Sequence, residues 1–357
     1  MMQKCLLFFV LLGAPLAARA QVDTVRASTM PGLQLAERAY NSGLVSFGQQ
    51  RFAAALASFD KAITARPGFA AAYTNRAATR FELKDYPAAL ADYNQALKLE
   101  PGSYAGYFGR ARTHEAQNQL AEAETDYSEA LKARPGYAPA WYNRGVLRFE
   151  KQDFQAALSD FNGAIQADAK MAYAYHDRAS TQQKLGNYAA AVQDYTQALA
   201  LQPDLLAALL NRAAAARRAG QLPEALKDYD AYLTQKADNP LAWTNRGSAR
   251  FENQDYKGAI ADFSQALQLN PAYAFAWNNR AAAQLKLEKY ADAIADASQA
   301  IKLKPDYAEA YLNRGHACEM LRQADEACQD WRKAAALGLP VGSSYAAAAG
   351  CAGEVAE

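Results

Sequence analysis

Residues 138–171 read APAWYNRGVLRFEKQDFQAALSDFNGAIQADAKM, and this stretch recurs in altered form along most of the chain. Proline marks the period, because prolines recur at intervals of 34 or twice 34 residues, at Pro67, Pro101, Pro135, Pro203, Pro271 and Pro305. Alanine occupies the two skipped positions, Ala169 and Ala237. A fixed period of this length is typical of a solenoid, in which copies of one small unit stack on each other.

The frame set by these prolines divides most of the chain into nine units. They cover residues 36–341 and are 36–69, 70–103, 104–137, 138–171, 172–205, 206–239, 240–273, 274–307 and 308–341. Residues 21–35 lack the pattern and are interpreted as an N-terminal linker, with an entry turn at Met30, Pro31 and Gly32. Residues 342–357 are interpreted as a C-terminal cap and tail.

Each unit has the spacing of two helices. When its positions are numbered 1 to 34, position 4 is aromatic in seven units, position 24 in eight, and position 20 is alanine in all nine. Position 8 is always Gly or Ala, and position 27 is alanine in eight units. Steps of three and four place these residues on single helical faces. Proline at position 32 ends the second helix, so we predict two antiparallel helices that bury their apolar faces only against neighbouring units.

Units such as 138–171 resemble the tetratricopeptide repeat, because Trp141, Gly145, Ala157, Phe161 and Ala164 occupy that family's signature positions. The resemblance extends over residues 36–341. It implies an all-α fold: a right-handed superhelical solenoid of antiparallel helix pairs with a concave groove and a short C-terminal capping helix. It also implies a scaffold that binds protein or peptide partners.

Two charged columns accompany the repeat. Position 7 is arginine in eight units, at Arg76, Arg110, Arg144, Arg178, Arg212, Arg246, Arg280 and Arg314. Position 23 is aspartate in the same eight, at Asp92, Asp126, Asp160, Asp194, Asp228, Asp262, Asp296 and Asp330. Unit one has Ser42 and Ser58 instead, so both charges are lost together. We predict structural ion pairs within each unit, such as Arg76 with Asp92, rather than an anion-binding row.

In the family that the repeat resembles, positions 2, 5, 9, 12 and 13 usually line the concave surface. That carry-over predicts a binding groove formed by Phe81, Phe108, Tyr142, Phe149, Tyr173, His176, Lys184, Arg217, Arg218, Phe251 and Phe275. The first units supply aromatic and acidic residues, and Lys184, Arg217 and Arg218 form a basic cluster in the middle. Aromatic residues and arginine dominate binding energy at interfaces. An extended peptide with basic and acidic stretches would fit such a groove.

Unit six departs most from the pattern. Position 27 is Tyr232 instead of alanine, position 4 is Leu209, and the proline is displaced to Pro240. A tyrosine at a close-contact position predicts that the helices separate or that the side chain turns outward.

The N-terminus has the features of a secretory signal peptide. Lys4 precedes the apolar run Cys5–Leu12, and Ala18 and Ala20 supply small residues before a cut near Ala20. The apolar run is too short to span a bilayer. This predicts a periplasmic or secreted protein. The net charge is only +1, which argues against nucleic acid as a partner.

The three cysteines after the predicted cut, Cys318, Cys328 and Cys351, lie near the C-terminus. A partner helix turning at 339–340 would place Cys351 opposite Cys328, and a turn at Gln323 would equally place Cys318 opposite Cys328. Resemblance to secreted bacterial tetratricopeptide proteins favours the Cys328–Cys351 disulfide.

No motif for a catalytic nucleophile, phosphate loop or zinc site occurs, and His114, His176 and His316 lie in different units. We therefore expect neither an enzyme nor a metal or cofactor site. The expected function is an exported scaffold that binds a protein or peptide in its groove. The alternative is a structural component of a cell-envelope assembly that uses the convex face or the ends. The oligomeric state stays open.

Overall fold

The computed structural model describes residues 31–351, and the described part of the chain is helical, with no strand. The predicted signal peptide lies outside these residues. Nineteen helices are found there, which confirms the all-α architecture of tandem helix pairs. The chain divides into two compact parts, each made of several 34-residue repeats. The first unit is the part that ends at Leu185, and the second unit is the part that begins at Gly186.

The first unit contains nine helices within its described residues. They are α1 Pro31–Gly48, α2 Phe52–Ala65, α3 Ala70–Glu82, α4 Tyr86–Leu99, α5 Tyr104–Ala116, α6 Leu120–Ala133, α7 Ala138–Glu150, α8 Phe154–Ala167 and α9 Ala172–Lys184. Helix α1 begins at Pro31, five residues before the first repeat as defined from the sequence. The prediction of a linker up to residue 35 is therefore wrong for residues 31–35. Proline is well suited to the first position of a helix, because its fixed φ and missing N–H cost nothing there.

The second unit contains ten helices within its described residues. They are α10 Tyr188–Leu201, α11 Leu206–Arg218, α12 Leu222–Gln235, α13 Pro240–Glu252, α14 Tyr256–Leu269, α15 Ala274–Lys286, α16 Tyr290–Leu303, α17 Ala308–Met320, α18 Ala324–Ala336 and α19 Val341–Ala348. Helix α19 packs on α18 as a short cap.

Small residues let the two helices of each pair approach closely. The alanines at position 20, from Ala55 to Ala327, are at most 1% exposed. A Cβ added at Gly145 would lie 2.9 Å from the ring of Phe161, so the first helix approaches the aromatic residue of position 24 very closely there. Residues 16 apart in sequence therefore face each other across the pair, as antiparallel helices require.

The arginine of position 7 contacts two repeats at once. In repeat four, Nε and Nη2 of Arg144 donate to Asp160 at 3.0 and 2.7 Å, while Nη1 donates to Ser128 of the preceding repeat at 2.8 Å. The same Nη1 bond reaches position 25 of the preceding repeat throughout, at Asp60, Asn94, Ser128, Asn162, Thr196, Asp230, Ser264 and Ser298. This residue type therefore joins neighbouring repeats as well as the helices of one pair.

The arginine–aspartate pairing is observed in seven repeats, including Arg76 with Asp92 and Arg246 with Asp262. Arg178 and Asp194 belong to different units, and their pairing stays a prediction. The sequence signal for the inter-repeat bond is the column of hydrogen-bond acceptors at position 25.

The prediction that the Tyr232 side chain turns outward is wrong, whereas the alternative that the helices separate stays a prediction. The Tyr232 side chain is buried, and its hydroxyl accepts a hydrogen bond from Nδ2 of Asn239 at 2.9 Å. Leu209 stands where seven other repeats have a larger aromatic residue, and Leu209 and Tyr232 pack in one cluster with Leu233. The smaller residue at position 4 leaves the volume that the tyrosine at position 27 fills.

Candidate functional site

The candidate site is a pocket in the second unit, on the side of the first helices of repeats six to eight. Its volume is about 410 Å³, within the range of known ligand sites. Helices α11, α13, α14 and α15 and the turn before α15 line it with Arg217, Thr244, Asn245, Ser248, Phe251, Glu252, Phe263, Tyr273, Phe275, Asn279 and Ala282. Three predicted groove residues, Arg217, Phe251 and Phe275, are thus brought together.

Aromatic rings form one side of the pocket. Phe275, at the start of α15, remains 46% exposed although its ring lies 5.1 Å from Tyr307 and 6.0 Å from Tyr273. Phe251 packs its ring edge against Tyr256 at 5.3 Å. Burial raises the pKa of Tyr307 to about 12, so its phenol stays neutral at physiological pH. The contacts hold Phe275 in place while leaving much of its ring accessible.

Polar groups line the rest. Asn245 and Asn279 stand at position 6 of adjacent repeats, and each amide offers both a donor and an acceptor. The hydroxyl of Ser248 donates to the carbonyl of Thr244 at 2.9 Å. Nη1 of Arg217 lies 3.1 Å from Oε1 of Glu252, so the two charges that line the pocket are paired. The pocket is electrically close to neutral.

Four of the predicted aromatic groove residues of the first unit are half-buried, and three of them, Phe81, Phe108 and Phe149, contact neighbouring rings. Phe81 lies 5.6 Å from Tyr86, and the guanidinium of Arg112 lies 4.7 Å above the Phe81 ring. Phe108 and Phe149 each make an edge contact, with Tyr137 at 5.1 Å and with Phe154 at 5.3 Å. Tyr173 is also half-buried. Each ring therefore leaves only part of its surface for a partner.

Two predicted groove residues are interior instead. Tyr142 is 3% exposed and His176 is 8% exposed, because both contact the buried carboxylate of Asp177. The Tyr142 hydroxyl donates to Oδ2 at 2.7 Å, and Nδ1 of His176 lies 2.8 Å from Oδ1. The prediction of these two as surface residues is wrong. Asp177 replaces the asparagine common at position 6, and this substitution was the signal for the buried network.

The residues of the predicted basic cluster belong to different units: Lys184 lies in the first unit, and Arg217 and Arg218 lie in the second. Lys184 and Arg218 are exposed, and the guanidinium of Arg218 lies 5.9 Å from the Tyr188 ring. Arg217 is paired with Glu252 and is therefore not a free cation. The cluster stays a prediction.

At the C-terminal end, Cys328 and Cys351 form a disulfide with a Cα–Cα distance of 5.7 Å, which ties the end of the cap to α18. Cys318 is a free, buried thiol, and burial raises its pKa. Next to it, His316 packs against Trp331 at 5.7 Å and against Tyr345 of the cap at 4.4 Å. The cap thus covers the last repeat with an aromatic cluster as well as a covalent bond.

Among residues 31–351, no helix combines the length and the apolar character that crossing a bilayer requires. Within the same described residues, no group of three or more His, Cys, Asp or Glu side chains is arranged to hold a metal ion.

Comparison with known families adds a sequence-based identification. Tetratricopeptide repeat models match residues 108–172, 176–240, 70–103 and 274–307, and a further model of the same repeat matches 247–288. The chain belongs to the tetratricopeptide repeat family. A search among curated proteins finds no match to this tetratricopeptide repeat protein.

Solved structures share the fold of this tetratricopeptide repeat protein. The crystal structure of YrrB, a protein described as having an unusual peptide-binding site, is 21% identical, with a TM-score of 0.50 over 52% of this chain and 95% of its own. A structure of the APC/C hetero-tetramer Cut9–Hcn1 is 16% identical, with a TM-score of 0.51 over 88% of this chain and 76% of its own. At these identities, the similarity shows the fold alone.

Proposed function

We propose that this protein is an exported, non-catalytic scaffold that binds an extended segment of a protein or peptide along the exposed side of its first helices. The observation that carries the proposal is the pocket between α11, α13 and α15. It combines a fixed, accessible Phe275 with two amides one repeat apart, Asn245 and Asn279. A side chain of the partner would pack on the ring, and its backbone would hydrogen-bond to the amides.

The chemistry of an extended peptide suits this arrangement. Its backbone presents alternating donors and acceptors, which an asparagine side chain satisfies in either direction. The helices that carry the pocket are held by buried alanines and ion pairs, so little ordering is needed on binding, which favours affinity. The peptide-binding site of YrrB, a structure of the same fold, supports the proposal by analogy.

Export is supported by the signal-like N-terminus and by the disulfide, since such bonds persist in oxidising compartments. The test is N-terminal sequencing of the protein recovered from its native cell envelope or medium. A mature chain that starts at Gln21 supports export, whereas an intact Met1 in the cytoplasmic fraction contradicts it.

The binding proposal is tested by capture from native envelope extract. The full mature chain is immobilised beside the double variant Asn245→Ala/Phe275→Ala, and helicity of both is checked by circular dichroism. Leu303→Ala is the matched control, because Leu303 is an exposed apolar residue of the second helix α16 that does not line the pocket. Partners retained by the parent and the control but lost from the double variant support the proposal.

The alternative function, a structural part of an envelope assembly, is favoured by the N-terminal end. Leu35 and Val45 of α1 are 58% and 56% exposed and offer an apolar surface on the first helix of the described residues. The double variant Leu35→Ser/Val45→Ser distinguishes the two functions in the same capture experiment. Partners lost from this variant but kept by the pocket variant would favour assembly through the end of the array.

A further inference from the structure

We infer that the pocket lined by Asn245, Phe251, Phe275 and Asn279 selects partners by one bulky apolar side chain carried on an uncharged stretch of extended peptide. This rests on the proposed function and names the ligand class of the same site. It differs from the expectation drawn from sequence, in which charged stretches of the partner bind a basic cluster.

Phe275 is held in place by neighbouring rings and is nevertheless exposed. A large ring that is almost half exposed is costly in water, since each Å² of exposed apolar surface costs roughly 25 cal/mol. Its neighbours Tyr273 and Tyr307 fix its position without covering it. A rigid, exposed aromatic residue beside a cavity is the usual form of an interface anchor, because little side-chain entropy is lost on binding.

The charged groups at the pocket are already engaged in an ion pair or in cation–π contacts. The two charged residues that line the pocket, Arg217 and Glu252, neutralise each other. The nearest ammonium group to Phe275, Nζ of Lys304, lies 5.2 Å from the Phe275 ring and 5.0 Å from the Tyr307 ring, so it already has cation–π contacts. A charged side chain entering this pocket would lose hydration and would have to compete with the existing ion-pair and cation–π partners of Arg217, Glu252 and Lys304.

The rest of the pocket lining includes small and uncharged polar residues. Ser248 and Ala282 stand at position 9 of adjacent repeats, where their small side chains leave the space open. Ser248 already donates its proton to Thr244. The amides of Asn245 and Asn279 are the neutral polar groups best suited to a peptide backbone. The pocket therefore has room for one large side chain, with hydrogen-bonding groups beside it.

The test is selection of linear random peptides displayed on phage against the full mature chain. Enriched peptides are then synthesised and their affinities measured for the parent and three variants: Ser248→Trp, which fills the pocket, Phe275→Ala, and the control Leu303→Ala. We expect enriched peptides to share an apolar residue of Leu, Met, Phe or Trp size. Replacing it by Asp or Lys weakens binding by about tenfold or more, and both pocket variants do the same.

Salt provides an independent readout, because a neutral pocket is insensitive to screening. Affinity that changes less than about twofold between low and physiological ionic strength supports the inference. Enriched peptides defined by charge, or apolar peptides bound equally by parent and pocket variants, overturn the pocket assignment while leaving a groove function in place. Enrichment of no peptide at all overturns both the pocket assignment and the proposed function.

Discussion

At the scale of single residues, the arginine at position 7 bonds both within its own repeat and with the preceding repeat. Arg144 binds Asp160 within its repeat, binds Ser128 of the preceding repeat, and stacks its guanidinium 5.0 Å from the Trp141 ring. Asp160 is 1% exposed, so its charge depends on Arg144 and on Arg148 at 3.0 Å. Removing Arg144 would leave this buried carboxylate with Arg148 as its remaining ion-pair partner, and the loss of one partner of a buried pair is costly.

Arg144→Ala is expected to destabilise the protein by roughly 3 kcal/mol or more, because Asp160 then loses two charge-assisted hydrogen bonds in a buried place. Ser128→Ala leaves the pair of Arg144 with Asp160 intact. It removes the inter-repeat bond of Arg144 and the bond from the Ser128 hydroxyl to the Glu124 carbonyl, and it is expected to cost about 1 kcal/mol. Urea unfolding followed by circular dichroism gives both values. The exposed pair Lys132–Glu129 provides the control, since Lys132→Ala should cost well under 1 kcal/mol. Equal effects of Arg144→Ala and Lys132→Ala would contradict the structural role.

His316 makes stability depend on pH. Burial lowers its pKa below the usual value of about 6.5, and Glu319 opposes this only in part. The unfolded chain therefore binds the proton more readily, so the contribution of His316 is intact above about pH 6.5 and stability is lost as pH falls below it. We expect the melting temperature to fall less between about pH 7 and pH 5 in His316→Phe than in the parent. Identical pH profiles for the two proteins would rule out this role.

At the scale of elements, the turn between the two helices of a repeat carries strain. Position 15 adopts positive φ in every repeat, with glycine at Gly186 and Gly220 and other residues elsewhere, such as Gln152 at +64°. A residue with a Cβ is disfavoured in this left-handed conformation, whereas glycine is not. Most repeats therefore end their first helix with the less favourable residue.

Gln152→Gly is expected to stabilise the protein by roughly 0.5–1 kcal/mol, the difference left after glycine's greater freedom in the unfolded chain is subtracted. Gly220→Ala should have the opposite effect, because φ is +77° at that position. Gln155→Gly, in the first turn of α8, is the control for glycine itself and should give no stabilisation. The order of unfolding midpoints in urea checks all three. A destabilised Gln152→Gly variant would contradict the assignment of strain.

The sequence was enough to predict the helix pairs but not all of the side-chain contacts around them. The period of 34 residues identified the helix pairs, because Gly, Ala and aromatic columns report which faces must touch. It did not predict that Tyr142 and His176 are buried, since position 5 lines a surface in the general repeat and only Asp177 draws these two inward. Nor did it predict the compensation between Leu209 and Tyr232, which depends on volumes in three dimensions.

The candidate site shows the same division. Phe251, Phe275 and Arg217 were predicted from their positions in the repeat, and they do line one pocket. The pairing of Arg217 with Glu252 was not predicted, because the two residues are 35 apart and meet only when adjacent repeats stack. Position in a repeat therefore indicates which residues share a surface, whereas the charge of that surface depends on contacts between repeats.

At the scale of the whole molecule, stability of a repeat array is carried by contacts between neighbours, so the ends decide where unfolding begins. The N-terminal helix α1 leaves apolar residues exposed, but the C-terminal end is closed by α19. The close approach of α19 to α18 requires Gly342, because a Cβ there would lie only 3.0 Å from the backbone nitrogen of Ala335. The disulfide between Cys328 and Cys351 then holds the cap at its far end.

Cys351→Ser is accordingly expected to lower the stability of the last repeat by roughly 2–4 kcal/mol, since the bond closes a loop with a sequence separation of 23. The effect should be local, because distant repeats contact neither the cap nor the disulfide. Hydrogen exchange measured by mass spectrometry tests this: faster exchange is expected in α17, α18 and α19 and unchanged exchange in α3 to α8. Cys318→Ser, which removes only a buried free thiol, is the control. Disulfide mapping of oxidised Cys351→Ser also shows whether Cys318 then pairs with Cys328. Uniformly faster exchange along the chain would mean that the array unfolds as one cooperative body, and that the cap stabilises all of it.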